Sequence, residues 1–399
     1  MQDLELDEFA KEYLRLGLRI GKHINGYVES YYGPTEIKQA VDMEKLKSPK
    51  LLLSDCNNLF NLLTEQGFKD NRKNYFRKTL NAIETLLKKL NGDKISYIEF
   101  VTNLFDFKPK FYDENYFFSL KCEADEIYSG KGLLHERMSN YAIKRTVSKE
   151  KIKDFFTKAI MIAQEQTKGI FHDFLPENER VTVNIIKDQS WGMYNWYQGN
   201  FQSKIDINIS ANYYWTDILS FACHEGYPGH HTEYVVKEKL LCRKKNYFEN
   251  SIKMLYTPEI VISEGIGQIA ENVLFLPKQS ILISLENFCV YPEIEDDLEL
   301  LIKQIQLKKK FRVLEGALAY YKYNNNWNDN EIREFLRQLE LTTEPAITSM
   351  LKFISDELWA PYVLSYQGER LLIEKFGNHP NPEYFQTVYL ENTLPSDLS

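Results

Sequence analysis

The chain has 399 residues, 43% of them hydrophobic and 14% aromatic, and carries a formal net charge of −8. This composition excludes a disordered chain and supplies enough apolar side chain for a sizeable core. The acidic balance, with no basic stripe interleaved with aromatics, argues against a nucleic-acid binder.

The chain opens MQDLELDEFAKEYL, with no basic segment ahead of an apolar run, and so does not read as a secretory signal. Phe9, Tyr13, Leu16 and Ile20 recur at spacings of three and four and predict an amphipathic helix. Gly33-Pro34 marks a turn, with Thr35 opening the next helix. Residues 51–67 and 72–91 predict a helical hairpin stopped at Asn91-Gly92, and further helices are expected over 95–106, 112–128 and 148–170.

The pattern changes near residue 176. RVTVNIIKD and FQSKIDINIS alternate apolar side chains at period two, so 180–210 predicts a small antiparallel β element with 189–200 as its loop. WTDILSFACHE then reads as a helix, which restarts at HHTEYVVKEKLLCRKK. Thr257 and Pro258 open a helix through ISEGIGQIAENVLF. A helical run is expected over 293–322, Asn328 and Glu331 form a capping box for 329–340, and Pro345 starts a helix to about 359. The tail 391–399 is expected to fray.

The predicted fold class is mostly α with a small antiparallel β element. Residues 1–175 form an N-terminal helical region and 176–399 a region with the β element and the C-terminal helices, interlocked as one unit. Apolar stretches such as 255–276 are interrupted by Glu, Gln or Asn and predict no membrane span. Five cysteines, odd in number and without CxxC spacing, predict reduced thiols in a cytoplasmic protein.

The chemistry concentrates in FACHEGYPGHHTE, residues 221–233. A hydrolytic zinc site needs three protein ligands, an open position for water and a carboxylate to take that water's proton. HExxH meets the need with two histidines one helical turn apart. Here position i+4 after His224 is Pro228, so the simple motif fails. Three readings remain open, the first being that His224, His230 and His231 are ordinary surface or core histidines. A local bulge at Gly226, Pro228 and Gly229 brings His230 (i+6) into phase, or His231 (i+7) reaches the ion from ~10.5 Å along the helix axis. With His230 as ligand, His231 contacts substrate or supports the site. Glu264, in the apolar run ISEGIGQIAE, is the candidate third ligand, because an unpaired buried carboxylate is expensive. Gly265 and Gly267 let its helix pack closely on the metal helix. Glu271, two turns on, is a candidate acceptor for an imidazole N–H.

HEGYPGHHTE followed by SEGIGQIAE resembles the DUF885 family of zinc-dependent, gluzincin-type metallopeptidases, similar in fold to the M32 carboxypeptidases. GYVESYYGP, GKGLLHERM, SWGMYNWYQGNFQSKIDIN and WAPYVLSYQGERLL resemble further segments of that family, with Tyr366 as the tyrosine of its C-terminal Y-x-x-G segment and Gly368 one position early. The resemblance covers nearly the whole chain and implies a large helical metallopeptidase-like fold with a deep cleft, the small antiparallel β element standing before the metal helix and 176–399 forming the metal-binding catalytic region. It implies one Zn²⁺ per chain on His224, His230 and Glu264, with Glu225 as general base. On that basis Tyr366, and after it His231, are candidate oxyanion donors. The strand 203–209 is a candidate edge for a substrate backbone, with Asn195 and Tyr197 lining the pocket.

The expected function is a zinc metallopeptidase acting on a peptide or small amide. A non-peptide amide or small metabolite suits the same chemistry. A noncatalytic helical binding protein with a vestigial metal site is the rival from another class.

Overall fold

The predicted Phe9–Ile20 repeat forms one buried face of helix Glu8–Gly21, and Asp7 caps it by accepting the Ala10 N–H at 2.7 Å. The computed structural model describes residues 6–189, 191–289, 298–356 and 359–398. The expected hairpin is Pro49–Glu65 against Asp70–Leu90. Tyr97–Phe105, Glu114–Ile127 and Lys149–Phe171 follow as anticipated. Leu134–Ile143 and Pro277–Phe288 are additional helices.

The run expected over 293–322 is two helices, Leu298–Phe311 and Leu314–Tyr323, which part at Arg312; its first residues, 293–297, lie outside the described residues. The capping box at Asn328 and Glu331 is present. The helix from Pro345 ends at Ile354, and residues 357–358 of its expected extent are also outside the description. Residues 1–5 and 399, parts of the two terminal readings, are outside it as well.

Among the described residues five strands complete the fold, which is mostly α with a small β element. They are β1 (Val28–Tyr31), β2 (Arg180–Ile186), β3 (Met193–Gly199), β4 (Gln202–Asn208) and β5 (Ile252–Met254). The stretch expected as a loop contains β3. Met193, Asn195 and Tyr197 point inward while Trp196 points out, but aromatics on both faces hide that alternation from the sequence. β3 and β4 pair antiparallel across Asn200-Phe201, both at positive φ. β2 joins the other edge of β4 in parallel. The order β2-β4-β3 therefore makes β4 the central strand, and its edges are used. The strand expected to offer an edge to substrate is paired on both sides, and β2 and β3 are the edge strands.

β1 pairs antiparallel with β5 and ties GYVESYYGP to the segment just ahead of helix Pro258–Leu274. Buried side chains from Phe9 through Val261 to Leu398 share one apolar core across residue 175. A second core gathers Ile160, Trp215, Cys223 and Ala270. The C-terminal tail does not fray within the described residues: Leu394 and Leu398 are apolar anchors buried in the main core.

Candidate metal centre

The interrupted motif is a break between two helices, Ile218–Glu225 and His230–Lys237, and not a bulge within one. The glycines are needed for closeness. A Cβ at Gly226 would stand 2.7 Å from the Ala222 carbonyl oxygen, and one at Gly229 would overlap the carbonyl oxygens of Cys223 and His224. The Gly229 N–H donates to the Cys223 carbonyl at 3.0 Å, and the Glu233 N–H to the Gly229 carbonyl at 3.0 Å. This junction sets the His224 and His230 rings edge to face, 4.7 Å apart at 87°.

Glu264 arrives from helix Pro258–Leu274. Its Oε2 lies 3.8 Å from His224 Nε2 and its Oε1 3.9 Å from His230 Nε2. One ligand atom from each of the three residues lies within 4.8 Å of the others. Neither Nε2 has a hydrogen-bond partner among the described residues, and both carboxylate separations exceed hydrogen-bonding range. Tetrahedral zinc with ~2.0 Å bonds holds its ligand atoms ~3.3 Å apart, so a small inward movement of these side chains fits the ion. Two imidazoles and a carboxylate are also the donor set of an open hydrolytic zinc site.

Gly267 permits the approach of the two ligand helices, since a Cβ there would sit 2.6 Å from His224 Cε1. Gly265 faces Gly368 instead.

Behind the ligands lies a buried polar network. His230 Nδ1 is 3.3 Å from Ser263 Oγ and 3.9 Å from Glu233 Oε2. Ser263 donates its hydroxyl to Glu233 and accepts from Lys253 Nζ. The single hydroxyl proton is thus committed to Glu233, and Nδ1 of His230 carries the hydrogen. Its Nε2 is left free to ligate. Lys237 bonds Glu233 at 2.7 Å and Glu259 at 2.9 Å, and Lys253 pairs with Glu29 of β1 at 3.4 Å.

Burial holds the His224 imidazole well below its usual pKa, helped by the charges of His230 and Arg312. Burial also pushes His230 down, but Glu233 and the carboxylates of Glu264 and Glu225 bring it above its usual value. Glu225 is pushed up to about 7, by burial first and then by Glu264 and Glu29, against the lowering effect of His230 and Lys253.

The other sequence-predicted residues divide. Asn195 reaches the site: its Nδ2 donates to the Glu225 carbonyl at 2.5 Å, and its buried Oδ1 has no partner. Tyr366 packs edge-on to Tyr362 at 5.8 Å, and Tyr362 is the tyrosine that touches the triad, donating to Glu264 Oε1 at 2.9 Å.

Three expectations are corrected. His231 turns away from the triad and is fully buried between Ser203 Oγ at 2.8 Å and Glu179 Oε2 at 3.0 Å, so it neither ligates nor faces substrate. Tyr197 stacks on Tyr234, and its hydroxyl bonds Glu238, which also accepts the Asn200 and Phe201 N–H groups; it is buried and pins the β3–β4 turn. Glu271 accepts the Ser280 hydroxyl and supports no imidazole among the described residues.

Sequence reasoning missed Tyr362, Ser263, Glu233, Lys253 and Glu29. The available signals were charged residues inside apolar runs, Glu233 in HHTEYVV and Lys253 in SIKMLY, which burial obliges to pair.

The fold and site together define a mostly helical protein with a His-His-Glu constellation beside a buried glutamate. No protein-family model and no curated protein matches the chain. Among the solved structures that resemble it are two that are each named a "putative lipoprotein". The one from Colwellia psychrerythraea is 13% identical with a TM-score of 0.52, and the match covers 88% of this chain and 66% of that one. The one from Shewanella oneidensis, of unknown function, is 11% identical with a TM-score of 0.46 over 89% of this chain and 76% of that one. The chain thus spans just under two thirds of the Colwellia protein, and that likeness is one of fold.

Proposed function

We propose that this protein is a zinc-dependent hydrolase of amide bonds, a metallopeptidase in its simplest form. The observation that carries the reading is the convergence of His224, His230 and Glu264 within 4.8 Å beside buried Glu225. Membership in the DUF885 family is part of the same proposal and rests on HEGYPGHHTE and SEGIGQIAE.

His224, His230 and Glu264 would hold the ion. When bound, zinc supplies Lewis acidity toward a carbonyl and lowers the pKa of a water. The chain's own residues do the rest. Glu225, poised at about 7, takes the proton of the attacking water and returns it to the leaving nitrogen. Asn195 Oδ1 is a free acceptor for a substrate N–H. Tyr366 is the proposed donor to the oxyanion. Tyr362 fixes Glu264, and Ser263 fixes the tautomer of His230.

The proposed compartment is the cytoplasm, on five free thiols that include exposed Cys122. No helix among the described residues is long and apolar enough to cross a membrane. The lipoprotein name of the two structural neighbours is the observation that favours a membrane-anchored location instead.

Metal analysis of purified, zinc-equilibrated protein should find about one zinc per chain, lost in His224→Ala and in Glu264→Ala. Glu225→Gln should keep the metal and lose cleavage of a peptide library. Stoichiometric metal in both ligand variants, or full activity in Glu225→Gln, defeats the assignment.

A further inference from the structure

Three large apolar side chains stand out of the surface within nine residues of chain. Met43 is 83% exposed, Leu46 60% and Leu51 55%. Met43 ends helix Thr35–Met43, and Leu51 lies in the first turn of helix Pro49–Glu65. Single apolar side chains scattered on a surface need no account, but three along one connection form a patch. From Lys38 to Leu51 the exposed charged residues are Lys38, Asp42, Lys45 and Lys50. Three cations to one carboxylate is a local reversal in a chain of net charge −8.

The connection is pinned from the end of helix Glu8–Gly21. Lys22 Nζ donates to the carbonyls of Val41 at 2.8 Å and Glu44 at 2.5 Å, and His23 Nε2 donates to that of Lys47 at 2.7 Å. Arg19 forks onto both Glu44 oxygens at 2.8 Å, and Lys47 pairs with Asp55 at 2.8 Å. The backbone is thus fixed while its apolar side chains are left to solvent, so a partner that covers them orders little chain. Helix Pro49–Glu65 also carries its charges against its own dipole. Lys50 sits in a first turn that has no acidic residue, and Glu65 ends a last turn that has no basic one. The macrodipole favours the reverse, so the basic end answers to something outside the helix. A hollow lined by Glu8, Glu12, Asp55 and Glu65 follows the same helix toward its C-terminus. The two ends therefore differ in sign, and an anionic surface attracts the one and repels the other. Apolar side chains among lysines suit an anionic bilayer: the apolar groups enter the acyl boundary, and the ammonium groups stay at the lipid phosphates.

We propose that the connection from Met43 to Leu51 is a docking site for an anionic lipid bilayer, entered by Met43, Leu46 and Leu51 and held by Lys38, Lys45 and Lys50. This docking is independent of the chemistry at the metal centre.

The test is co-sedimentation of the full-length protein with sucrose-loaded vesicles, either of phosphatidylcholine alone or of equal parts phosphatidylcholine and phosphatidylglycerol. The wild type should bind the mixed vesicles at least about tenfold more tightly than the neutral ones. Leu46→Ser should weaken that binding about tenfold with an unchanged melting temperature, because the side chain is exposed in the free protein and buried only in the bilayer. Lys45→Glu should weaken binding to the mixed vesicles and leave binding to the neutral ones as it is. Ile143→Ser, 64% exposed on helix Leu134–Ile143, is the control and should bind as the wild type does. Failure to sediment with the mixed vesicles overturns the proposal. So does binding that Leu46→Ser leaves intact, or that Ile143→Ser weakens equally. A dimer that forms without lipid and is lost in Leu46→Ser, with no vesicle binding, assigns the patch to a second copy of the chain and overturns the proposal as well.

Discussion

The Tyr362 hydroxyl donates to Glu264 Oε1 at 2.9 Å across 98 residues of sequence, and it orients the one carboxylate of the triad. Glu264 is buried, so without this bond one of its oxygens depends on the ion alone. Tyr362→Phe keeps the ring that packs against Trp359 and Tyr366 and removes only the donor. The variant should bind zinc about 10- to 100-fold more weakly with little change in melting temperature. Chelator competition followed by metal analysis measures the first, and a thermal melt the second. Unchanged affinity would mean that Glu264 is held by other contacts.

Gly267 and His224 make a steric test of the same centre. A Cβ at Gly267 would lie 2.6 Å from Cε1 and 2.8 Å from each ring nitrogen of His224, so the imidazole must move. Gly267→Ala should lose zinc while remaining folded. Gly169→Ala is the control: it lies in helix Lys149–Phe171 with nothing within 4 Å, and it should add up to about 1 kcal/mol of stability through helix propensity. Metal content and urea unfolding of the two variants separate a displaced ligand from general damage.

The network behind His230 separates affinity from stability. Ser263→Ala removes the acceptor for Nδ1–H and should weaken zinc binding on the order of tenfold. Glu233→Ala does more, because it strips buried Lys237 of its nearer carboxylate and leaves only Glu259. An uncompensated buried charge costs about 3–5 kcal/mol, to be read from urea denaturation at neutral pH. A Glu233→Ala variant as stable as the parent would show that Glu259 and solvent suffice for Lys237.

How much of this site is legible in the sequence depends on the range of each interaction. His224, Glu225 and His230 lie within seven residues, and their types state the chemistry. Pro228 excludes a continuous helix, and the choice between His230 and His231 turns on a junction whose geometry the glycines permit but do not specify. Glu264 is visible as a charge in an apolar run. Tyr362 and Tyr366 stand four residues apart in one aromatic segment, and only the packing of the 3₁₀ turn Tyr362–Gln367 on helix Pro258–Leu274 tells them apart. Tyr197 and Asn195 sit two apart on β3 and share a face, yet the turn-holding carboxylate of Glu238 claims one and not the other. Parallel pairing of β2 with β4 has no local sequence signal. Helix periodicity, in contrast, is local, and the N-terminal helices fall close to where it places them.

The displaced His231 leads to a prediction about acid stability. Its burial keeps the imidazole below its usual pKa, so at neutral pH it accepts the Ser203 hydroxyl at Nδ1 and donates Nε2–H to Glu179. Burial alone would raise Glu179. The hydrogen bonds of His231, Tyr227 and Gln164 reverse this and bring it from 4.5 down to about 2. A carboxyl with a lower pKa folded than unfolded stabilises fully above the unfolded value, and it loses that stability as pH falls from 4.5 toward 2. The contribution is on the order of 3 kcal/mol at neutral pH. Glu179→Gln should therefore be less stable than wild type by that order at neutral pH, and the gap should close through the 4.5 to 2 window. Urea unfolding of both proteins across this range measures it. A gap that stays constant with pH would assign the effect to packing rather than to the charge of Glu179.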